Sequence, residues 1–463
     1  TLYWNNIPIH FWNFGEGNMK SKIQLSDHFT YTRLIRFTLP SVLMMIFTSV
    51  YGTVDGFFIS NFVGKTAFAA VNLIMPYLQI LGGVGAMLGV GGSALVAKTL
   101  GEGNINKAQR YFTMMIYLML GSSIFFTAGG LLVLRPVAYL FGANEALIGD
   151  VMTYGTICLI FNTALQAQWT FQSYIIVAEK PNFALSIVII AGVTNMILDY
   201  VFMAFFHMGV AGAALATGLS QCVGGLVPFL WFLSKKNKSA LRFVKTNFET
   251  NPMVKACING SSEMMSSVSA SVTGVLYNLQ LMKYAGEDGV AAYGVVMYAA
   301  FIFISVFAGY SSGSSPIMGY HFGAEHNKEM KNILKKSMIM LSVSAVVLTA
   351  AAMLLARPIS ALFIGYDAEL LKLTARAFKI CSIPFSVMWF NIYASSFFTA
   401  LNDGAVSAAI SFLRALVLPV LCILTLPAIW KLDGVWYALT ASEILSVFVS
   451  LAFMIAKRKK YNY

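Results

Sequence analysis

Two aspartates stand where carboxylates are expensive. Asp55 lies in the run TSVYGTVDGFFISNFVGKTAFAA (48–70), and Asp199 closes the run SIVIIAGVTNMILD (186–199). At the centre of a membrane helix a carboxylate costs about 2.5 kcal/mol or more, so something must offset it. Asn195 precedes Asp199 by four residues and shares its helix face. Thr217 enters the next apolar run. Asp55 comes 19 residues after Arg36 and Asp199 18 residues after Pro181, roughly 28 and 27 Å along their segments at helical rise. Thr217, one to two turns into the returning segment, reaches the same level. Asp55, Asn195, Asp199 and Thr217 can therefore converge on one pocket of oxygen ligands. That set suits a proton shared between acids, or a hard cation such as Na+. The blander alternative is a hydrogen-bonded structural carboxylate.

Other polar residues are candidates for a binding cavity. Glu263 lies eight residues after Lys255, roughly 12 Å into its segment. It is either a counter-charge for a bound cation or a carboxylate favoured by a helix N-terminus. Arg414 and Glu443 each lie about ten residues into antiparallel segments, near the midplane at the same rise. Pairing is their cheapest arrangement, in a structural or a gating role. Asn162, Gln166 and Gln168 either line a cavity or tie helices together. His207, His321 and His326 lack metal-ligand spacing, and no metal is expected beyond Na+ at the four residues above. The five cysteines (Cys158, Cys222, Cys257, Cys381 and Cys422) form no CxxC and read as buried free thiols.

The elements holding these residues follow from composition. The 463 residues are 58% hydrophobic and 11% charged, with mean hydropathy +0.72, whereas soluble domains carry about 25% charged residues. The expected fold is all-α and polytopic. Runs near 20 apolar residues span the hydrocarbon core, and twelve occur: 34–60, 66–98, 107–134, 146–177, 182–206, 210–233, 254–284, 288–320, 330–355, 370–400, 404–430 and 433–456. Pro40, Pro76, Pro228, Pro316, Pro384 and Pro419 are candidate kinks. With the N-terminus inside, cytoplasmic ends and loops hold 22 of the 31 Lys and Arg, against eight outside and Arg414 within a segment. That bias puts both termini in the cytoplasm of a multi-pass cell-membrane protein. It also accounts for the net charge of +12 without nucleic-acid binding. Residues 1–18 fit no signal peptide and read as translated leader ahead of Met19.

A shift of 222 residues superposes the chain on itself. Gly64 falls on Gly286, Ala69-Ala70 on Ala291-Ala292, Gly91 on Gly313, Ser93 on Ser315 and Gly101 on Gly323. Arg135-Pro136 falls on Arg357-Pro358, Leu140-Phe141 on Leu362-Phe363, Gly212 on Gly434, Ala216 on Ala438 and Ser220 on Ser442. Six segments per repeat give parallel repeats: two six-helix lobes related by a pseudo-two-fold along the membrane normal, with a cleft between them. The lobes are 19–233 and 254–463. The basic stretch 234–253 joins them as a cytoplasmic tether, or less simply as a lipid-binding patch. The repeat partners of the candidate site are not acidic: Asp55 maps to Tyr277, Asp199 to Leu421 and Thr217 to Leu439. Tyr277 is kept as a cavity candidate.

With this layout, the VDGFFIS turn, NxxLD in the fifth segment, GVAGAALAT opening the sixth and the repeated RPxxxLF, the chain resembles the multidrug and toxic compound extrusion (MATE) family over about 30–456. It looks closest to the MepA-like and DinF-like branches. The resemblance implies a secondary antiporter that exports organic cations in exchange for H+ or Na+. It implies a cation site on an Asp of the first helix, an Asn and Asp four apart on the fifth and a Thr on the sixth, matched here by Asp55, Asn195, Asp199 and Thr217. The NorM-like branch pairs a glutamate of the seventh helix with an aspartate of the tenth. Glu263 has no such partner in 370–400.

The expected partners are the lipid bilayer and small organic cations, with a monomer as the working unit and no cofactor. One alternative is a lipid-linked oligosaccharide flippase of the same superfamily, disfavoured by Arg414 being the only deep basic residue. A major-facilitator transporter would carry GxxxDRxGRR, and the corresponding loop reads KTLGEGNINKAQR. An intramembrane enzyme is the different-class alternative, but neither HExxH nor a membrane GxGD occurs. No GxxxxGK[ST] phosphate loop is present.

Overall fold

The computed structural model describes residues 23–364 and 367–463; the expected leader, 1–18, lies outside the described residues. Among these residues the chain is helical, without strands, and makes twelve spans. The first lobe holds α1 (Tyr31–Val63), α2 (Lys65–Gly101), α3 (Ile105–Leu140), α4 (Ile148–Ile160 and Asn162–Val177, bent by 53°), α5 (Pro181–Phe205) and α6 (Gly209–Leu233). The second holds α7 (250–285), α8 (287–323), α9 (Asn327–Ile364), α10 (Ala368–Ser382 and Phe385–Ala400, bent by 47°), α11 (404–430) and α12 (432–461).

The helix breaks repeat with the sequence. Gly64 (φ 121°) separates α1 from α2 and Gly286 (φ 60°) separates α7 from α8; Gly209 (φ 60°) and Lys431 (φ 50°) do the same for α5/α6 and α11/α12. Each pair is 222 residues apart. Positive φ is cheap for glycine, which lacks a Cβ, and strained for Lys431. The bend of α4 at Phe161 likewise matches that of α10 at Ile383 and Pro384. The helices run on through Pro40, Pro76, Pro228 and Pro316, so of the six candidate kinks only Pro384 stands at a sharp bend.

The lobes meet across the same two-fold. A Cβ on Gly101 would lie 2.0 Å from the carbonyl of Tyr320, and one on Gly323 1.9 Å from that of Lys98. Lys98 and Tyr320 are themselves repeat partners, so α2 and α8 touch backbone to backbone through equivalent residues. Likewise Gly91 of α2 packs on Gly260 of α7, and Gly313 of α8 packs on Thr38 of α1. All these approaches lie in the half of the bundle that carries both ends of the described chain, residue 23 and Tyr463. Among the described residues, the inter-lobe hydrogen bond farthest from that end joins Ser49 and Ser305 at 2.6 Å, near mid-helix. The lobes are thus sealed at the terminus-bearing end.

Two segments strap that end. Residues 234–249 do not hang free as a tether. Leu241 is fully buried, Phe243 packs on Phe112 and Phe229, Gln109 donates to Ala240 O (2.7 Å), and Arg110 pairs with Glu249. The apolar Leu241 and Phe243, set within the basic run, dock it onto α3 and α6. At the other strap, Leu25 N donates to Glu179 of the first lobe (2.8 Å), and Phe29 N donates to Glu329 of the second (2.9 Å). Phe29 is 0% exposed.

Candidate functional site

The acids are brought together by a close crossing of α1 and α5. A Cβ on Gly192 would lie 2.5 Å from the Phe47 ring and 3.1 Å from that of Tyr51; only glycine lets α1 approach this far. Asp55 follows Tyr51 by one turn and Asp199 follows Gly192 by two, so the carboxylates face one another, within hydrogen-bonding reach once one carries a proton. Asp55 is 8% exposed and Asp199 0%. Among the described residues no donor serves Asp55 Oδ1 or either oxygen of Asp199, and Asn195 Nδ2 and Thr217 Oγ1 are also buried without partners. Two acceptors cannot satisfy each other, so the carboxylate oxygens and Thr217 Oγ1 are orphan ligands suited to a proton or a hard cation, while Asn195 Nδ2 is an orphan donor that can serve a carboxylate. In each helix the α-turn loosens to π-helix close behind the acid, at Ile59–Val63 and Tyr200–Phe205, a feature common at functional sites.

Tyr51, Tyr154 and Cys158 complete the pocket and were missed in the sequence. Tyr154 stands beside both Thr217 and Asp55, and Cys158 beside Tyr154. The signal was spacing: Tyr51/Asp55 and Tyr154/Cys158 are both i,i+4 pairs. Gln168 reaches Tyr51. Asn162 and Gln166 instead tie α4 to its neighbours: Asn162 donates to Thr127 Oγ1 (3.2 Å), and Gln166 donates to Leu81 O (3.1 Å). In the second lobe Tyr277, at the position of Asp55, stacks flat on Tyr293 (5.4 Å, 2°) and is buried. It is not among the residues lining the cavity between the lobes, and its ring takes the place that Asp55 holds in the first lobe.

That cavity, about 220 Å³, lies just inside the seal. Among the described residues, nine of its eighteen lining residues are serines and none is aromatic, so Glu263, expected as a counter-charge, stands in a hydroxyl-rich setting. Glu263 lines it and carries exposed surface. Arg414 also lines it and pairs with Glu443: Nη2 to Oε1 is 2.8 Å, and Nε reaches Oε1 at 2.9 Å and Oε2 at 3.0 Å. Asn391 donates to Glu443 Oε2 (2.8 Å), and Ser450 to Asn391 Oδ1 (2.8 Å). Arg414 stands in the third π-helical stretch, Leu413–Val417, at the repeat position of Gly192.

Residues 40–201 and 264–424 match the family model described as MatE, one stretch in each half. The multidrug export protein MepA of Staphylococcus haemolyticus is 22% identical over 432 residues, 93% of this chain and 94% of the relative. MepA of Staphylococcus saprophyticus is 22% identical over 435 residues, 92% and 94% of the two chains. A solved structure described as the outward-facing conformation of a multidrug resistance MATE family transporter of the MOP superfamily superposes with a TM-score of 0.89 at 19% identity, covering 96% of this chain and 100% of that one. A MOP superfamily transporter from Pyrococcus furiosus gives 0.88 at 19% identity, with coverage of 96% and 100%. The fold is shared, and because the family model spans most of both lobes, the chain belongs to the MatE family of membrane transporters, which move solutes and are not enzymes.

Proposed function

We propose that the chain is a multidrug exporter: a secondary antiporter that expels organic cations from the cytoplasm in exchange for H+ or Na+ by alternating access of its two lobes. The observation that carries this reading is the pair Asp55 and Asp199, buried face to face with no donor to them among the described residues. Two ionised carboxylates in a dry site repel, and a proton or Na+ between them removes that repulsion. Asn195 and Thr217 supply further oxygens. Entry of the ion draws α1 toward α5, reshapes the first lobe and releases substrate outward, while Glu263 serves as counter-charge for the cation in the cleft. The working unit is a monomer in the cell membrane. Its termini and its sealed end are cytoplasmic, in keeping with the 22 basic residues assigned to that side.

The test is efflux of a fluorescent cation from proteoliposomes under separate pH and Na+ gradients, for wild type, Asp55→Asn and Asp199→Asn. One of the gradients should drive efflux in wild type and in neither variant. Unimpaired gradient-driven efflux in both variants overturns the ion site.

A further inference from the structure

We propose that the serine-walled cavity between the lobes selects a compact amphoteric amine, whose primary or secondary ammonium is held by Glu263 and serine oxygens while a carboxylate at its other end takes the free N–H groups of Arg414. This rests on the antiport reading above and narrows its cargo at this cavity, from organic cations in general to small ones that also carry an anionic end.

Size is the first argument. Sites for drug-sized ligands run from about 300 to 1,000 Å³, and this cavity is about 220 Å³. The second is what the walls lack. Planar and quaternary cations are held largely by aromatic faces, and no aromatic residue lines this cavity among the described residues. The third is the direction of the hydroxyls. Ser93 Oγ donates to Val90 O (3.1 Å), Ser266 Oγ to Ser262 O (2.8 Å) and Ser396 Oγ to Ser311 O (3.3 Å). With their protons engaged, these serines have lone pairs left to offer. Ser311 Oγ is buried with no partner among the described residues and keeps its lone pairs as well as its proton. Such walls accept from an N–H-bearing ammonium and have little to give a quaternary one.

The two charged residues define the ends. The carboxylate of Glu263 has no ion-pair or hydrogen-bond partner among the described residues, although it lines the cavity. Arg414 is neutralised by Glu443 through Nε and one N–H of Nη2. A guanidinium carries five N–H groups, so three remain, and 21% of the side chain is exposed. Those donors suit a carboxylate, for which the planar fork of arginine is matched. Glu263 on α7 and Arg414 on α11 thus favour a solute charged at both ends over one charged at either.

The experiment is calorimetric titration of the purified full-length protein with 6-aminohexanoate, with its one-ended analogues hexylamine and hexanoate, and with ethidium. The expected result is 6-aminohexanoate binding at least about tenfold tighter than either analogue, the scale of one charge-assisted hydrogen bond, and outcompeting ethidium at the cavity. Glu263→Gln, which removes no hydrogen bond or ion pair among the described residues, should erase the preference over hexanoate. Arg414→Lys keeps a charge beside Glu443 and should erase the preference over hexylamine. Equal binding of 6-aminohexanoate and hexylamine, no binding of 6-aminohexanoate, or Glu263→Gln binding like wild type overturns the proposal. Gradient-driven ethidium efflux by a protein that does not bind 6-aminohexanoate overturns this inference alone. Selective binding without gradient-driven transport of any cation supports the cavity assignment and overturns the antiport reading instead.

Discussion

Adding one methyl group at Gly91 should unseal the terminus-bearing end. Its Cβ would stand 2.1 Å from Ala256 O, 2.4 Å from Gly260 N and 2.8 Å from Gly260 Cα. These are backbone atoms of α7, which cannot rotate away as a side chain would. Non-bonded heavy atoms settle near 3.5 Å, so α2 and α7 must part by about 1 Å. Overpacking of this kind costs about 1–3 kcal/mol. Gly91 and Gly260 touch only where the lobes are closed against each other, so the cost falls on that state. A differential of that size shifts the balance between lobe arrangements by about 5- to 150-fold. Spin labels on Asn106→Cys and Lys328→Cys, exposed repeat partners on opposite lobes, introduced after replacement of the five native cysteines, report the change as a distance distribution. Gly91→Ala should move population to longer distances. Gly121→Ala, with no atom within 4 Å of the added Cβ, should not. An unchanged distribution for Gly91→Ala, or an equal shift for Gly121→Ala, would refute the reasoning.

Three further outcomes are expected. Lys431→Gly should raise the stability of the purified protein by about 1 kcal/mol, because Lys431 holds φ 50° and ψ −126° where the other three equivalent breaks carry glycine; an unchanged or lower unfolding midpoint counts against that strain. Phe29→Ala should cost about 3–5 kcal/mol, since its ring is fully buried between the first-lobe entry and His321 of α8, and denaturant unfolding in detergent measures it. Glu443→Ala should cost about 3–5 kcal/mol, chiefly by leaving Arg414 without its counter-charge; Asn391 loses its carboxylate acceptor and keeps the Glu443 backbone carbonyl. The same assay checks this, and a loss below about 1 kcal/mol would mean that Arg414 is already well solvated by the cavity.

What the sequence determined alone was whatever depends on spacing along the chain. Twelve apolar runs of spanning length, the 222-residue repeat and the i,i+4 relation of Asn195 to Asp199 are one-dimensional facts, and the fold must respect them. The breaks at Gly64, Gly209, Gly286 and Lys431 fall where the repeat puts them. The pairing of Arg414 with Glu443 was legible too, because two opposite charges at one depth in neighbouring helices have no cheaper arrangement.

Tertiary structure decided which helix faces meet. Gly192 admits the rings of α1 against α5, so Asp55 and Asp199 confront each other; nothing in the local sequence says that this glycine faces Tyr51. Tyr154 and Cys158 join that pocket only because α4 bends at Phe161, a residue with no breaking tendency of its own. Tyr277 left the cavity to stack on Tyr293, and Asn162 and Gln166 turned to α3 and α2, since a buried polar group goes to the nearest backbone or hydroxyl partner. The linker docked because Leu241 and Phe243 outweigh the charges around them. The serine walls of the cavity come from both lobes, on spans distant in the chain, and only the packing of α2, α4, α7, α8, α10 and α11 around one space assembles them.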